Sequence, residues 1–297
     1  METKDNQKTK DTLVGKIILF MVFFVLFLGF ILFFSPVREE KIIHISSNQT
    51  FADTVKVLES EDIVNFPGLF TLASKVLNIN LKTGDYLFEK NSSFVEILLQ
   101  LKMNNHKIKP VKITIREGLN NQSIADLLNQ KLESFDKNVF LELSQNLEGQ
   151  LFPDSYFFFP LTTEEEVIKE LKNNFNNQTN PLQEKIKETG KSLNDILVMA
   201  SILEGEAKGE KDNRIISGIL WKRLFINMPL QVDIDKKTYE AKGLPQKPLN
   251  NPGLSSIKAA IDPVDSNYLY YLHDNEGNAY YAKDYEEHKK NINLYLK

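Results

Sequence analysis

The sequence predicts an α+β protein in which a single N-terminal transmembrane helix precedes two mixed α+β domains. Residues 17–37 carry no charge and are almost wholly apolar, which is typical of a membrane span. Beyond them, apolar residues at helical spacing are interspersed with short stretches that have the period-two pattern of strands. A chain of 297 residues is long enough for an anchor and two domains with cores of their own.

Composition excludes several classes of function. The 36 Lys and Arg residues against 40 Asp and Glu give a net charge of −4, whereas a nucleic-acid-binding protein would have a basic face. The absence of cysteine excludes disulfides and thiolate zinc sites. The four histidines include no pair at metal-ligand spacing. We therefore expect no metal site and no nucleic-acid partner.

The apolar run of residues 17–37 is predicted to be a retained anchor in the cell membrane. It is longer than the apolar centre of a signal peptide, and Ser35-Pro36-Val37-Arg38 offers no small-residue cleavage site. The lysines of residues 1–16 outnumber the basic residues close behind the run. This bias places a tail of residues 1–16 in the cytoplasm and the chain after residue 37 outside.

The first domain, residues 38–108, has a small α+β pattern. A strand is predicted from Lys41 to Ser46, and residues 84–87 predict a turn into another. Ser93 with Glu96 predicts the capping box of a helix. Such a unit suits either a glycan-binding module or a structural spacer.

The second domain, residues 109–297, begins with a strand predicted from three alternating apolar residues, Val111, Ile113 and Ile115. Residues 147–156 predict a tight turn into an aromatic strand, and residues 268–281 a β-hairpin. The acids of the first of these turns, Glu148 and Asp154, either satisfy backbone donors or line a cleft.

Between these segments the sequence predicts surface helices. Thr162 with Glu165 predicts a capping box, and residues 172–181 an Asn-rich loop. A helix over residues 212–227 carries Trp221 and Arg223, which face either the core or a cleft, with the core favoured for Trp221.

The stretch of residues 197–207 joins a buried helix to two acids. Ser192 with Asp195 predicts the capping box at the start of this helix. Glu204 and Glu206 are two residues apart, so one is expected to face inward and the other outward. Gly205 costs about 1 kcal/mol relative to alanine in a helix, and it is easiest to explain if a large ligand approaches the backbone. The alternative is that both glutamates lie on a solvated helix end.

Residues 200–207 read Ala-Ser-Ile-Leu-Glu-Gly-Glu-Ala. Other segments carry further motifs, of which that at 243–253 is the next strongest and that at 82–86 the loosest: 82–86, 114–118, 147–156, 230–239, 243–253 and 285–288. Together, in this order, they resemble the endolytic murein transglycosylases, also called the YceG-like family. The family has Lys or Arg where Gly205 stands, and a longer loop where Asp233 is followed almost at once by Thr238-Tyr239.

The resemblance implies a bacterial lytic transglycosylase of the cell membrane, with a LysM-like domain at residues 38–108 and a catalytic domain at 109–297. In the family the second glutamate of the motif is the catalytic acid, which is Glu206 here, and Glu204 is expected to be a supporting acid. Glu206 would protonate the MurNAc–GlcNAc glycosidic oxygen within nascent glycan strands. It would then act as the base while the 6-hydroxyl of the sugar closes a 1,6-anhydro end. The side chains expected to hold the sugar are Gln231, Asp233 and Tyr239, followed by Glu117, Glu148 and Asp154.

Two other functions stay open at this point. A non-catalytic, membrane-tethered peptidoglycan-binding scaffold is favoured by the shortened loop after Asp233. An aminodeoxychorismate lyase, a label sometimes attached to this family, would need pyridoxal phosphate, a Schiff-base lysine and a phosphate cup, none of which the sequence indicates. We therefore expect no cofactor. The expected partners are peptidoglycan glycan strands, the inner membrane and cell-wall synthases.

Overall fold

A computed structural model describes residues 2–34, 37–206 and 210–296, with side chains for residues 13–30, 37–206 and 212–296. Parts of three predictions lie outside the described residues, namely Ser35-Pro36 near the end of the apolar run, Ala207 of the central stretch and the terminal Lys297. The chain is a mixed α+β protein that divides into two compact units, Met1–Pro110 and Val111–Lys297.

The first unit starts with a long apolar helix. Helix α1 runs without a break over Glu2–Phe34, so the predicted change from a tail to a span at residue 17 is not a change in backbone conformation. Its segment Leu13–Phe30 has a mean hydropathy of 2.7, and none of it is buried against the protein. By length and composition this helix could cross a membrane, and an N-terminal signal sequence has the same features.

The remainder of the first unit is a two-stranded antiparallel sheet packed with helices. Its elements are β1 (Lys41–Ile45), α2 (Phe51–Ser60), α3 (Pro67–Val76), β2 (Gly84–Phe88) and α4 (Phe94–Lys102). Lys41 pairs with Phe88 and Ile45 with Gly84. The capping box predicted from Ser93 and Glu96 begins α4 and is confirmed.

The second unit contains the predicted hairpins and the central helix. Its strands are β3 (Val111–Thr114), β4 (Ser155–Phe158), β5 (Tyr270–His273) and β6 (Ala279–Ala282). Its helices are α5 (Asn121–Asn129), α6 (Lys137–Ser144), α7 (Glu164–Thr179), α8 (Gln183–Glu188), α9 (Leu193–Glu206), α10 (Glu210–Phe225), α11 (Leu254–Ile261) and α12 (Tyr285–Tyr295). Strand β3 pairs antiparallel with β4, and β5 with β6.

Helix α9 is the centre of the second unit. Its residues Ile196 to Leu203 are all buried, and it packs against α10 and α11. A helix that is apolar on every side has to be enclosed by other elements. Each Leu, Ile, Val or Met side chain buried there stabilises the fold by about 1.5–3 kcal/mol, and this packing fixes the end of the helix where the acids lie.

Two local predictions in the second unit are wrong. The capping box at α7 is formed by Thr163 and Glu166 instead of Thr162 and Glu165, because both pairs fit the motif and tertiary packing decides between them. The Asn-rich segment of residues 172–181 is mostly the second half of α7, not a loop. Its buried residues Leu171, Phe175 and Thr179 recur every fourth position, and this stripe outweighs the weak helix propensity of asparagine.

Candidate functional site

Helix α9 carries the two acids to its C-terminal end. It begins at the predicted capping box, in which Asp195 N–H donates to Ser192 Oγ at 3.1 Å and Ser192 N–H donates to Asp195 Oδ2 at 3.2 Å. The helix continues through Gly205 and ends at Glu206. The reason for a glycine at position 205 differs from the one that the sequence suggested. A Cβ at this position would lie 2.5 Å from Ile234 Cδ1, so a side chain of the protein, not a ligand, occupies the space beside the glycine.

The Glu206 carboxylate is held by donors from two separate segments. Its Oε1 accepts hydrogen bonds from Asp233 N–H at 2.7 Å and from Ile234 N–H at 3.3 Å. Its Oε2 accepts from the Tyr271 hydroxyl at 3.2 Å. The side chain is half-buried. Because polar donors contact both oxygens, the orientation of the Glu206 carboxylate at the surface of the domain is fixed.

Tyr271 lies on β5 and reaches Glu206 with its phenol oxygen. Burial, and then the negative charge of Glu206, hold the pKa of Tyr271 well above its usual value of 10.0. The hydroxyl is therefore protonated throughout the physiological range. It can donate to a carboxylate and accept from a carboxylic acid, so it fits both protonation states of Glu206.

Beside Glu206, the shortened segment after Leu230 folds into a compact turn. A 3-10 turn at Lys236–Tyr239 brings the Tyr239 hydroxyl to Asp233 Oδ1 at 2.9 Å, and Lys236 forms an ion pair with the same carboxylate. The bond with Lys236, and to a smaller extent that with Tyr239, lowers the pKa of Asp233 below its usual value. Asp233 and Tyr239 are exposed, so both remain accessible next to Glu206.

Gln231 lies at the start of the same turn. Its backbone has a φ of +52°, and its N–H donates to Thr238 O at 3.0 Å. Its side chain is exposed. Gln231 therefore has a backbone role in shaping the turn, and its amide group is free to face solvent.

Glu204 and Glu117 form a second pair of acids. Glu204 Oε2 accepts from Gly253 N–H at 2.9 Å. Partial burial, and then repulsion by Glu204, raise the pKa of Glu117. A Cβ on Gly253 would lie 1.7 Å from Glu117 Oε1, so any side chain there would displace the Glu117 carboxylate. Glu204 and Glu206 are both half-buried and bound to different segments, and the expectation that one of them faces outward is wrong.

Glu148 has a mainly structural environment. Both of its oxygens accept from Asn121 N–H at 3.2 Å, and Oε1 also accepts from Asn251 Nδ2 at 3.2 Å. Burial raises the pKa of Glu148 above its usual value, and the hydrogen bond from Asn121 N–H offsets part of this rise. This carboxylate joins the start of α5 to the loop that precedes α11.

The loop of residues 243–253 is fixed to the domain along its second half. Leu249 N–H donates to Ser201 Oγ at 3.0 Å, which ties the loop to the middle of α9. Asn251 accepts from Leu151 N–H at 2.9 Å and donates to Asn121 Oδ1 at 2.9 Å. The density of proline and glycine predicted an ordered loop, and these bonds explain how it is ordered.

Asp154 lies apart from this arrangement. Its Oδ1 accepts from Ser155 N–H at 2.7 Å, and its Oδ2 accepts from Asn174 Nδ2 at 3.0 Å. Within the described part of the chain, no hydrogen bond joins Asp154 to the groups around Glu206. The structure thus brings Asp233 and Tyr239 beside Glu206, places Gln231 in the same turn, and does not bring Asp154 there.

The sequence interpretation missed three residues of the site. Tyr271 was assigned only to a strand, Asn251 only to an ordered loop, and Arg223 was left between core and cleft. Trp221 packs against the core as favoured and donates to Ala260 O at 3.0 Å. The aromatic density of residues 268–272 was a signal for Tyr271, but local pattern cannot pair it with an acid 65 positions away.

Comparisons with known proteins identify the family of the chain. A model of the YceG-like family matches residues 43–235 and 237–294. An endolytic murein transglycosylase from Streptococcus pneumoniae serotype 2 is 26% identical over 300 residues, covering 79% of this chain and 54% of that protein. One from Bacillus subtilis is 32% identical over 185 residues, covering 54% of this chain and 50% of that protein. The chain thus spans about half the length of these relatives.

A solved structure is similar as well. The crystal structure of a YceG-like protein from Listeria monocytogenes has a TM-score of 0.57 and 25% sequence identity, covering 85% of this chain and 99% of that chain. The family match spans most of the chain and includes every residue bound to Glu206. This protein is therefore a member of the YceG-like family.

Proposed function

We propose that this protein is a lytic transglycosylase that cleaves peptidoglycan glycan strands internally, with Glu206 as general acid and base. The relatives named endolytic murein transglycosylase support the reaction class. The observation that carries the residue assignment is the Glu206 carboxylate, which three donors from two segments hold at the end of a buried helix.

In the first step, the Glu206 carboxylic acid donates its proton to the glycosidic oxygen between N-acetylmuramic acid and N-acetylglucosamine. The bond from C1 of the muramic acid to that oxygen breaks, and the N-acetylglucosamine leaves with a 4-hydroxyl. In the second step, the Glu206 carboxylate takes the proton of the muramic acid 6-hydroxyl, whose oxygen bonds to C1. The product is a 1,6-anhydro end, and Glu206 is protonated again without consumption of water.

The donors around Glu206 suit both steps. The amides of Asp233 and Ile234 and the Tyr271 hydroxyl stabilise the carboxylate that forms when the proton has left. Because these groups are fixed by the fold, they need little rearrangement during the reaction.

Sugar binding is proposed for the exposed groups beside Glu206. Asp233 and Tyr239 offer a carboxylate and a phenol ring, and Gln231 an exposed amide. Glu204 acts as the supporting acid by fixing Gly253. Glu117, Glu148 and Asp154 have roles further from the reacting atoms, and Glu148 acts through the loop that it anchors.

The cellular setting belongs to the same proposal. Helix α1 anchors the chain in the cell membrane with residues 1–16 in the cytoplasm, and the unit of residues 38–108 is a LysM-like spacer or glycan-binding domain outside it. Cell-wall synthases that extrude new glycan strands are the proposed partners, because such strands are the substrate.

The test compares the wild-type protein with Glu206→Gln on intact sacculi, followed by mass analysis of the released muropeptides. Glutamine keeps the shape of the side chain but cannot donate the proton, so formation of anhydro ends should fall by about 10²–10⁴-fold. The matched control is Glu188→Gln, an exposed glutamate on α8, which should retain wild-type activity. Release by Glu206→Gln at the wild-type rate would refute the assignment.

The wild-type products test the reaction class. Anhydro ends are expected. Reducing ends would identify a hydrolase instead. Retention on glycan strands without cleavage would favour the non-catalytic scaffold.

A further inference from the structure

Arg223 is a buried cation that the proposed reaction does not use. It lies on α10 and is only 4% exposed. Its Nε–H donates to Leu269 O at 2.7 Å, and its Nη1 donates to Leu230 O at 2.6 Å. Its guanidinium lies 5.1 Å from the centre of the Tyr270 ring. Across the described ranges, no carboxylate forms an ion pair with it.

Burial of a cation without a counter-charge is costly. The guanidinium loses its hydration, and two carbonyl oxygens and an aromatic face compensate only in part. Burial accordingly lowers the pKa of Arg223 below its usual value. An apolar residue of similar length would pack in this position at a lower cost, so the arrangement points to a role other than stability.

The two carbonyls that Arg223 binds belong to the two segments that hold Glu206. Leu269 is two residues before Tyr271, whose hydroxyl donates to Glu206 Oε2. Leu230 is three residues before Asp233, whose amide donates to Glu206 Oε1. One rigid guanidinium is therefore bonded to both segments that donate to the Glu206 carboxylate.

We infer that Arg223 is a positioning residue that holds the Tyr271 segment and the Asp233 segment at the spacing that fits the Glu206 carboxylate. Arginine suits this role because its donors lie in one plane and diverge, so a single side chain can bind two carbonyls in fixed directions. Lysine keeps the charge but binds as a point donor. Alanine leaves both carbonyls without this donor.

The test uses the full-length protein in detergent and two readouts. The first is the exchange of the Asp233 and Ile234 amide hydrogens, followed by mass spectrometry with residue-level fragmentation. The second is kcat and KM for anhydro-end formation on glycan strands. The kinetic readout rests on the proposed function, whereas the exchange readout does not.

Arg223→Ala should accelerate exchange at Asp233 and Ile234 and lower kcat by about 10²-fold, because a displacement of about 1 Å in a catalytic setting has an effect of this size. KM should change little, since Arg223 is buried and does not reach the substrate. Guanidinium ion, added well below denaturing concentrations, should recover part of kcat by entering the vacated space.

The matched control is Arg214→Ala. Arg214 lies on the same helix and also binds a backbone carbonyl, that of Asp262 at 2.9 Å, together with the Asp262 carboxylate. Neither group contacts Glu206, so this variant should match the wild-type protein in exchange at Asp233 and in kcat.

Several outcomes would overturn the inference. Wild-type exchange and kcat in Arg223→Ala would do so, as would a loss of kcat with unchanged exchange and no recovery by guanidinium, since that pattern would show that the Asp233 segment keeps its position without Arg223. If Arg223→Ala does not fold, Arg223→Lys is measured in its place, and wild-type values in both readouts would count against the role. If Arg223→Ala exchanges faster but the wild-type protein cleaves no glycan strands, the positioning role of Arg223 stands and the proposed function is refuted.

Discussion

At the scale of single residues, the spacing of the two glutamates separates their tasks. Glu204 and Glu206 lie two positions apart on one helix, which directs their carboxylates to different segments. Glu204 binds the amide that precedes α11, whereas Glu206 binds the turn after Leu230 and the tyrosine of β5. Glu206 therefore lies beside the exposed polar groups, and Glu204 beside the backbone of the domain.

The first prediction compares these two acids. Glu204→Gln retains an amide oxygen that accepts from Gly253 N–H, so it should lose less activity than Glu206→Gln in the release of anhydro muropeptides. The opposite ranking would make Glu204 the catalytic acid. Thermal unfolding of both variants checks that the comparison concerns folded proteins.

Gly205 and Ile234 form a second pair at this scale. Because a Cβ on Gly205 would lie 2.5 Å from Ile234 Cδ1, a large side chain at Gly205 cannot fit without displacing Ile234. The backbone of Ile234 donates to Glu206, so this contact also affects the setting of the acid.

The second prediction uses this contact. Gly205→Leu should lower the free energy of unfolding by about 1–3 kcal/mol through overpacking. Combining it with Ile234→Ala should recover part of the loss, with a coupling of at least about 0.5 kcal/mol in a double-mutant cycle from urea unfolding. Strict additivity of the two changes would show that the side chains do not share this space.

At the scale of elements, the loop before α11 binds α9 as well as the segments that follow β3 and precede β4. The backbone of Asn251 binds the segment of residues 118–121, and its side chain binds both that segment and the segment of residues 148–151. Its side chain is almost fully buried, so every one of these bonds is shielded from water.

The third prediction concerns this residue. Asn251→Ala leaves the Leu151 amide and part of Glu148 without partners, each at a cost of about 1–3 kcal/mol. The free energy of unfolding should therefore fall by about 3 kcal/mol or more in chemical denaturation. Asn146→Ala, at an exposed position after α6, should change it by less than about 0.5 kcal/mol. Equal effects of the two substitutions would contradict the structural role of the loop.

Helices and capping residues were largely predictable because their signals are local. The boxes at Ser93 and Ser192 depend on residues three apart, and the burial of α9 on an unbroken apolar run. The Thr163 box was misplaced by one residue because two overlapping pairs satisfy the same motif. Only the burial of Val167, Leu171 and Phe175 against the rest of the unit selects one of them.

The candidate site was only partly predictable for the same physical reason. Glu206 and its neighbours at Asp233 and Tyr239 stood in recognisable motifs. The contacts of Tyr271 and Ile234 with Glu206, and those of Arg223 with two carbonyls, depend on how distant segments pack, and no local pattern contains that information. Gly205 shows the limit most clearly, since its cause is a side chain 29 positions away and not a ligand.

At the scale of the whole molecule, stability should depend on pH through Glu148. Its folded-state pKa is raised above the usual value of 4.5, so the folded protein binds this proton more tightly than the unfolded chain does. The carboxyl therefore favours folding when protonated. This contribution is present at low pH and is lost as the pH rises from 4.5 through the raised value.

The fourth prediction isolates that contribution. Glu148→Gln has no proton to lose, so the stability of the wild-type protein relative to the variant should decline as the pH rises through this window. Thermal unfolding at a series of pH values measures the difference. If the stability of the wild-type protein relative to Glu148→Gln instead increased with pH, the pKa of Glu148 in the folded protein would have to be lowered.

The fifth prediction concerns topology. The excess of lysine before the apolar run favours a cytoplasmic N-terminus, which is the orientation that we propose. A reporter that is active only outside the cytoplasm, fused after residue 297, should therefore be active. Activity of a cytoplasmic reporter at the same position would refute both the orientation and access to peptidoglycan.

The long-range hydrogen bonds of the site also determine when the site can form during synthesis of the chain. Asn251 binds Leu119, 132 positions earlier, and Tyr271 binds Glu206, 65 positions earlier. Ribosomes deliver the chain from its N-terminus, and contacts of such separation form slowly. A growing chain that has reached residue 250 contains Glu206 but lacks Gly253 and Tyr271. The hydrogen bonds proposed to prepare Glu206 for catalysis would therefore form only after residue 271 has been synthesised, and a chain released before that point would carry Glu206 without Tyr271.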